Sequence, residues 1–283
     1  MEVGRSRLLP VTNRLSRWPW WALAIALLGV LFAWAMATDA DYQRIFGAIS
    51  AGIIVTILVT VISYSIALVM GLILALGRVS NNLIAYQIST FYIEIVRGVP
   101  TLILLLYIAF VGLPAFVELL NAFGNWLVAA NFMSGIGSTL VTIRNRDVSD
   151  EFRIVVALSI AYSAFLAEIF RAGIESVERG QMEAARALGM TYWQAMRHII
   201  LRQAIRQVLP PLGNDFIAML KDSSLAWVLG IGDISGLGKR YESSTFLTLQ
   251  TYNVVAYLYL AMTLLLSMGV KWIEQTMARE RRV

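Results

Sequence analysis

The chain has 283 residues, of which 58% are hydrophobic and only 14% charged, with a formal net charge of +5 and a mean hydropathy of +0.69. Soluble domains carry roughly 25% charged residues, so this composition excludes an ordinary soluble fold and, equally, intrinsic disorder. The absence of cysteine removes disulfides, thiolate metal sites and cysteine nucleophiles, and the lone histidine, His198, leaves no histidine pair for a metal.

What remains is an all-α integral membrane protein. A helix needs about 20 apolar residues to cross a bilayer core. In chain order, apolar runs predict spans at 18–38, 49–76, 84–117, 154–173, 211–231 and 252–272, six in all. The first run is too long for a cleaved signal peptide, and no clean small-x-small site follows it. Trp18, Trp20, Trp21 and Trp272 fall near span ends, where aromatic rings anchor at the interface. The stretch 113–151 carries Glu118, Asn121, Asn125 and Asn131 with Gly124, Gly135 and Gly137, and reads as an extracytoplasmic insertion, partly helical at the interface.

Three of these spans carry polar groups that lipid would not tolerate. The third holds Glu94 and Arg97, the fourth Glu168 and Arg171. Spacing of three puts each pair on one helix face, so each neutralises itself or the two cross-pair between helices. Gly98-Val99-Pro100 breaks the third helix. Backbone groups freed at that depth need protein or cavity water, which makes Arg97, Gly98 and Pro100 pathway candidates, with a plain kink as the alternative. The fifth span contains Asp215, Lys221, Asp222, Ser223 and Ser224. Adjacent Lys221 and Asp222 point about 100° apart on a helix and do not pair simply with each other. This patch is predicted to face the pathway or a dimer interface, and it offers a cation and an anion to a zwitterionic solute.

Basic residues favour the cytoplasmic side. Six spans place Arg5, Arg7, Arg14 and Arg17, then Arg78, then Arg171, Arg179, Arg186, Arg197, Arg202 and Arg206, then Lys271, Arg279, Arg281 and Arg282 on that side. Only Arg44, Arg144, Arg146, Arg153, Lys239 and Arg240 fall opposite. A seventh span at 116–143 would invert the arginine-rich segment. The predicted organisation is therefore a basic tail at 1–17, an extra N-terminal span at 18–38, a transmembrane body at 48–275 and a tail at 276–283, with both termini cytoplasmic.

The segment 174–211 is predicted to be a helical hairpin. Good helix formers run to Leu188, and Gly189 follows as a stop. Thr191 and Gln194 have the spacing of a capping box. Tyr192, Met196, Ile199 and Ile200 line one face of the second helix, and Leu209-Pro210-Pro211 is expected to end it. Such a hairpin suits docking into a groove of another protein or lying on the membrane surface. The run Gly236-Leu237-Gly238-Lys239-Arg240 is not a phosphate loop, because Asp233 stands where the first glycine belongs and Arg240 where serine or threonine belongs. No catalytic or metal-binding set is expected.

Glu183-Ala184-Ala185, three residues, Gly189, nine residues and Ile199-Ile200-Leu201 resemble the EAA loop of ABC-importer permease subunits. Arg202 stands where the family motif has proline. The stretches 168–174 with 180–185, 209–214 with 220–225, and 94–102 are similar to the permeases for polar amino acids, so the resemblance covers 48–112 and 152–275. It implies a type I importer permease with a five-helix core, in the plasma membrane of a bacterium or archaeon. Its partners would be a second permease chain, identical or sister, two cytoplasmic ATPases that use Mg-ATP, and an extracytoplasmic binding protein that delivers a small polar amino acid. This chain would hold no cofactor and bind no nucleic acid. Glu183, Ala184, Ala185, Leu188 and Gly189 would form the coupling helix that docks the ATPase. The rivals are a self-sufficient secondary transporter, weakened by the lack of inverted repeats, and an ABC permease for another small solute.

Overall fold

The computed structural model describes residues 20–279. The basic tail, Trp18, Arg281 and Arg282 lie outside the described residues, as do the side chains of Trp21, Arg179 and Arg279. Among the described residues all regular secondary structure is helical. The helices are α1 (Trp20–Thr38), α2 (Ala40–Ile49), α3 (Gly52–Val79), α4 (Leu83–Gly98), α5 (Thr101–Ala129), α6 (Ser134–Thr142), α7 (Asp150–Glu175), α8 (Arg179–Ala187), α9 (192–222), α10 (Ile234–Thr245) and α11 (Thr248–Arg279).

Four helical stretches are long and apolar enough to cross a membrane: α2 with α3, α5, α7 and most of α11; α1 is a shorter apolar helix. The boundaries follow local chemistry. Asp39 caps α2, Asn82 caps α4 and Ser149 caps α7, each accepting backbone N–H groups of the first turn. The core is the α3–α7 pair. Ala67, Gly71 and Ala75 present a small-residue row to Ala157, Ala161, Ala164 and Ala167, all buried. A Cβ at Gly71 would meet Leu166 Cβ at 2.9 Å. Helices without a hydrophobic drive between them associate through such close backbone approach. Tyr92 of α4 joins this pair, donating to the Ile160 carbonyl at 3.0 Å.

The break expected at Gly98-Val99-Pro100 is present: the third apolar stretch is two helices, because Val99 is extended and Pro100 opens α5. Two other stretches differ from the sequence expectations. Residues 113–129 continue α5, and α6 folds back on it with Gly124 and Gly137 in mutual backbone contact, so 113–151 is a helical extension and hairpin. The prolines at 210 and 211 do not end α9, which runs on to Asp222. They remove two N–H donors, but Val208 and Leu212 on either side are buried, and tertiary burial holds the helix where local propensity would stop it. The predicted span at 211–231 is accordingly the end of α9 followed by a 3-10 segment, Ser223–Leu229.

Candidate functional site

The hairpin forms as its spacing predicts. Met190 N–H bonds the Ala185 carbonyl at 3.1 Å and Gly189 N–H the Arg186 carbonyl at 3.0 Å, with Gly189 at φ +84°. This pair of bonds closes α8, and the left-handed conformation favours glycine there. Thr191 and Gln194 exchange side-chain bonds to each other's backbone N–H at 2.8 and 3.3 Å. Met196, Ile200 and Ala204, with Met182 and Tyr192, pack on Leu76, Val79, Ile174 and Val177 at the ends of α3 and α7. Ala185 is buried, while Glu183 and Ala184 are exposed and Leu188 is 84% exposed. The hairpin is thus fixed to the bundle by one face and presents a carboxylate and an uncovered leucine on the other.

Next to it lies a charge network. Arg78 of α3 bonds Glu168 of α7, and also reaches Glu94 of α4 at 3.0 Å. Glu168 further accepts from Arg171 at 2.8 Å, and Arg97 stands 3.8 Å from it. Arg171 also pairs with Glu175 at 2.5 Å, and the Arg97 guanidinium lies 5.7 Å from the Phe165 ring centre. Glu94 and Arg97 therefore do not neutralise each other: both pair across helices. The sequence reading missed Arg78 as the hub. Its signal was its position as the first charge after a long charge-free run. Gly98 is exposed and Pro100 sits at the break, beside this network in sequence but without a bond to it. A groove of ≈ 440 Å³ between α7 and α9 is bordered by Glu168, Arg171, Ser176, Gln207 and Pro211.

The α9 patch is differently built. Asp222 accepts from Tyr162 at 2.8 Å, and Tyr64 donates to the Leu212 carbonyl at 2.6 Å. Ser223 is buried and donates to the Leu220 carbonyl, Asp215 and Ser224 are half-buried, and Lys221 is exposed with no ion pair or hydrogen bond among the described residues. The network and the patch are separate sites on the bundle's α7 and α9.

Two further polar devices hold the frame. A π turn at Ile108–Gly112 precedes Pro114, which has no N–H to give. The Ala109 carbonyl accepts instead from Arg153, which is buried and also bonds Asn145. Asp233 caps α10, accepting from Gly236 N–H at 2.8 Å and Tyr259 hydroxyl at 3.1 Å. Burial pushes the Asp233 carboxyl up while the Gly236 and Ser235 N–H groups pull it down. Gly236 and Gly238 lie inside α10, where a Cβ would strike Ile231 and Val255. These glycines serve packing, and the helix N-terminus is filled by the chain's own carboxylate.

Residues 67–282 match the family model described as "Binding-protein-dependent transport system inner membrane component". The chain is 38% identical over 229 residues to the probable glutamine ABC transporter permease protein GlnM of Bacillus subtilis, covering 79% of this chain and 90% of that one. It is 30% identical over 240 residues to the glutamine transport system permease protein GlnP of Escherichia coli K12, covering 84% and 97%. Among solved structures, an amino acid ABC transporter crystallised with histidines superposes with a TM-score of 0.65 at 33% identity, over 85% of this chain and 98% of that one.

Proposed function

The chain belongs to the family of binding-protein-dependent transport system inner membrane components, and from that premise we propose that it carries a polar amino acid through the membrane by alternating access. It is a permease subunit of an ABC importer. Glutamine is the first cargo to test, being the solute named for two of the relatives. ATP hydrolysis belongs to two partner ATPases with their Mg-ATP; a binding protein delivers the cargo, and a second permease chain, identical or sister, completes the pathway.

The observation that carries this reading is the hairpin: Gly189 turns the chain so that Glu183 and Leu188 face outward while Met182 packs α8 into the apolar cluster at the ends of α3 and α7. Closure of the ATPase dimer would move α8, and α8 would drag α3 and α7 through Met182, Met196 and Ile200. Asp215, Lys221, Asp222, Ser223 and Ser224 on α9 line the path, and Arg97, Gly98 and Pro100 stand at its edge. The hairpin and both termini are cytoplasmic in this reading, with 1–17 and 276–283 as tails, 18–38 an additional span, and α5's extension with α6 outside.

Purification of the tagged chain in mild detergent with mass spectrometry tests the assembly. An ATPase should accompany it, and Glu183→Lys should lose the ATPase while membrane insertion is unchanged; full retention of the complex would remove the docking role. Asn125, exposed on α5, tests topology: Asn125→Cys should react with an impermeant reagent from outside, and reaction only from the cytoplasm would overturn the orientation. The relatives' names support an ATP-driven importer over a self-sufficient secondary transporter.

A further inference from the structure

Between α5 and α7 lies a cleft of ≈ 560 Å³, and every residue that lines it is apolar or glycine. Phe152, Val156 and Ile160 stand four apart along α7, and Ile108, Gly112 and Phe116 four apart along α5, so each helix gives the cleft one face. Ile143 and Val148, from the segment between α6 and α7, line its outer end beside the start of α7. Phe116 and Phe152 are both 54% exposed, so the cleft is open at that end. Its deep end rests on the π turn through Ile108 and Gly112.

Both helices are long and apolar enough to cross a membrane, which sets the cleft at bilayer depth. From Phe152 to Ile160 it runs about 12 Å at 1.5 Å per residue, close to the half-thickness, about 15 Å, of a hydrocarbon core. Water has no polar group to hold it there, and an unfilled cleft forfeits dispersion contacts along both walls. A lipid chain is the matter at that depth that fits. Charge stands at the outer end: Arg144 and Arg146, both exposed, lie between Ile143 and Val148. Arg146 is 3.9 Å from Asp147, while Arg144 has no ion pair among the described residues. Of the carboxylates beside them in sequence, Asp147 also accepts from the Arg144 N–H at 3.0 Å, Asp150 pairs with Arg153 at 3.6 Å, and Glu151 is exposed. We propose that the cleft is a binding site for a glycerophospholipid, with one acyl chain between α5 and α7 and the phosphate at the Arg144 guanidinium. Lying against Ile108 and Gly112, the chain braces the π turn whose Ala109 carbonyl Arg153 holds. Such a site needs only that α5 and α7 span the membrane, and is independent of the cargo and of the ATPase.

Gly112 has φ −65°, and a Cβ there meets nothing closer than the Tyr107 carbonyl oxygen at 3.8 Å, so Gly112→Leu fills the cleft without backbone strain. The test uses the full chain in vesicles of phosphatidylethanolamine and phosphatidylglycerol, with a trace of phosphatidylethanolamine carrying a mid-chain diazirine. After irradiation, peptide mass spectrometry should find denser adducts around Phe116 and Val156 than around Val69 and Ile73 or Leu265 and Met268, which are exposed on α3 and α11. Gly112→Leu should cut the cleft adducts at least about ten-fold, with reference labelling and melting temperature unchanged, and Val156→Phe should do the same from the opposite wall. A diacylglycerol bearing the same chain should label the cleft less than the phospholipid, and Arg144→Gln should erase that difference. Cleft adducts no denser than the references would leave ordinary bilayer contact only. A cleft without adducts beside labelled references would mean that a protein helix covers it, and labelling unmoved by either filled variant would place the lipid elsewhere. Each of these three results overturns the site, and equal labelling by phospholipid and diacylglycerol overturns its phosphate contact.

Discussion

Where α3, α4 and α7 meet, Arg78, Glu94, Arg97, Glu168 and Arg171 satisfy one another across three helices, and Arg78 and Glu168 keep only 17% and 19% of their side chains exposed. On α9, among the described residues, the Lys221 side chain has no partner and Asp222 has one hydroxyl. Both regions looked alike in sequence, as charges stranded in apolar runs. The paired set binds helices together, and each member is held in place by at least one other. The unpaired set leaves its charge available, and an available charge in a membrane bundle must meet water, a second chain or a solute.

Glu168→Ala should have the largest effect. It strips the shared carboxylate from Arg78, Arg97 and Arg171 at once, and removal of one partner from a largely desolvated pair costs about 2–4 kcal/mol. A large fall in detergent melting temperature and in folded yield is expected; an unchanged melting curve would dissolve the contrast between the two regions. Lys221→Met comes next and should behave in the opposite way. Uptake should fall by at least about ten-fold, the equivalent of about 1.4 kcal/mol, with the melting temperature within a degree or so of the parent. Normal uptake would return Lys221 to a structural role.

Tyr162→Phe sharpens the same comparison, since it removes the one side-chain donor to Asp222 among the described residues. A hydrogen bond to a charged group contributes about 1.5–3 kcal/mol. A modest loss of stability together with altered apparent cargo affinity is expected, and a stability loss alone would assign Asp222 to the frame. The smallest change should come from Arg97→Gln, because its ion pair is 3.8 Å long and its side chain 41% exposed. Pairs of that kind contribute about 0–1 kcal/mol, so a thermal shift comparable to that of Glu168→Ala would show that Arg97 is as integral as Arg78.

Much of the hairpin was legible before any coordinates. The Gly189 stop and the Thr191–Gln194 box depend on residues at most six apart, and their hydrogen bonds are local. The helix break at Val99–Pro100 was legible for the same reason. The stop expected at Pro210–Pro211 failed because burial of α9 against its neighbours outweighs two missing donors. Arg153 escaped notice as anything but a topology marker, since its partner carbonyl at Ala109 is 44 residues away and is freed by a π turn that no residue pattern announced.

The sequence by itself determined that this is a helical membrane chain, that it carries an amphipathic hairpin, and which residues resemble an importer permease, because composition, periodicity and motif spacing are properties of the chain read in order. Only the tertiary structure decided which charges are paired. Glu94 and Arg97 share a helix face yet find partners elsewhere, Arg78 joins Glu168 across 90 residues, and the Lys221 side chain finds no partner among the described residues. Coulomb attraction depends on distance in space, and the packing of small residues between α3 and α7 sets those distances.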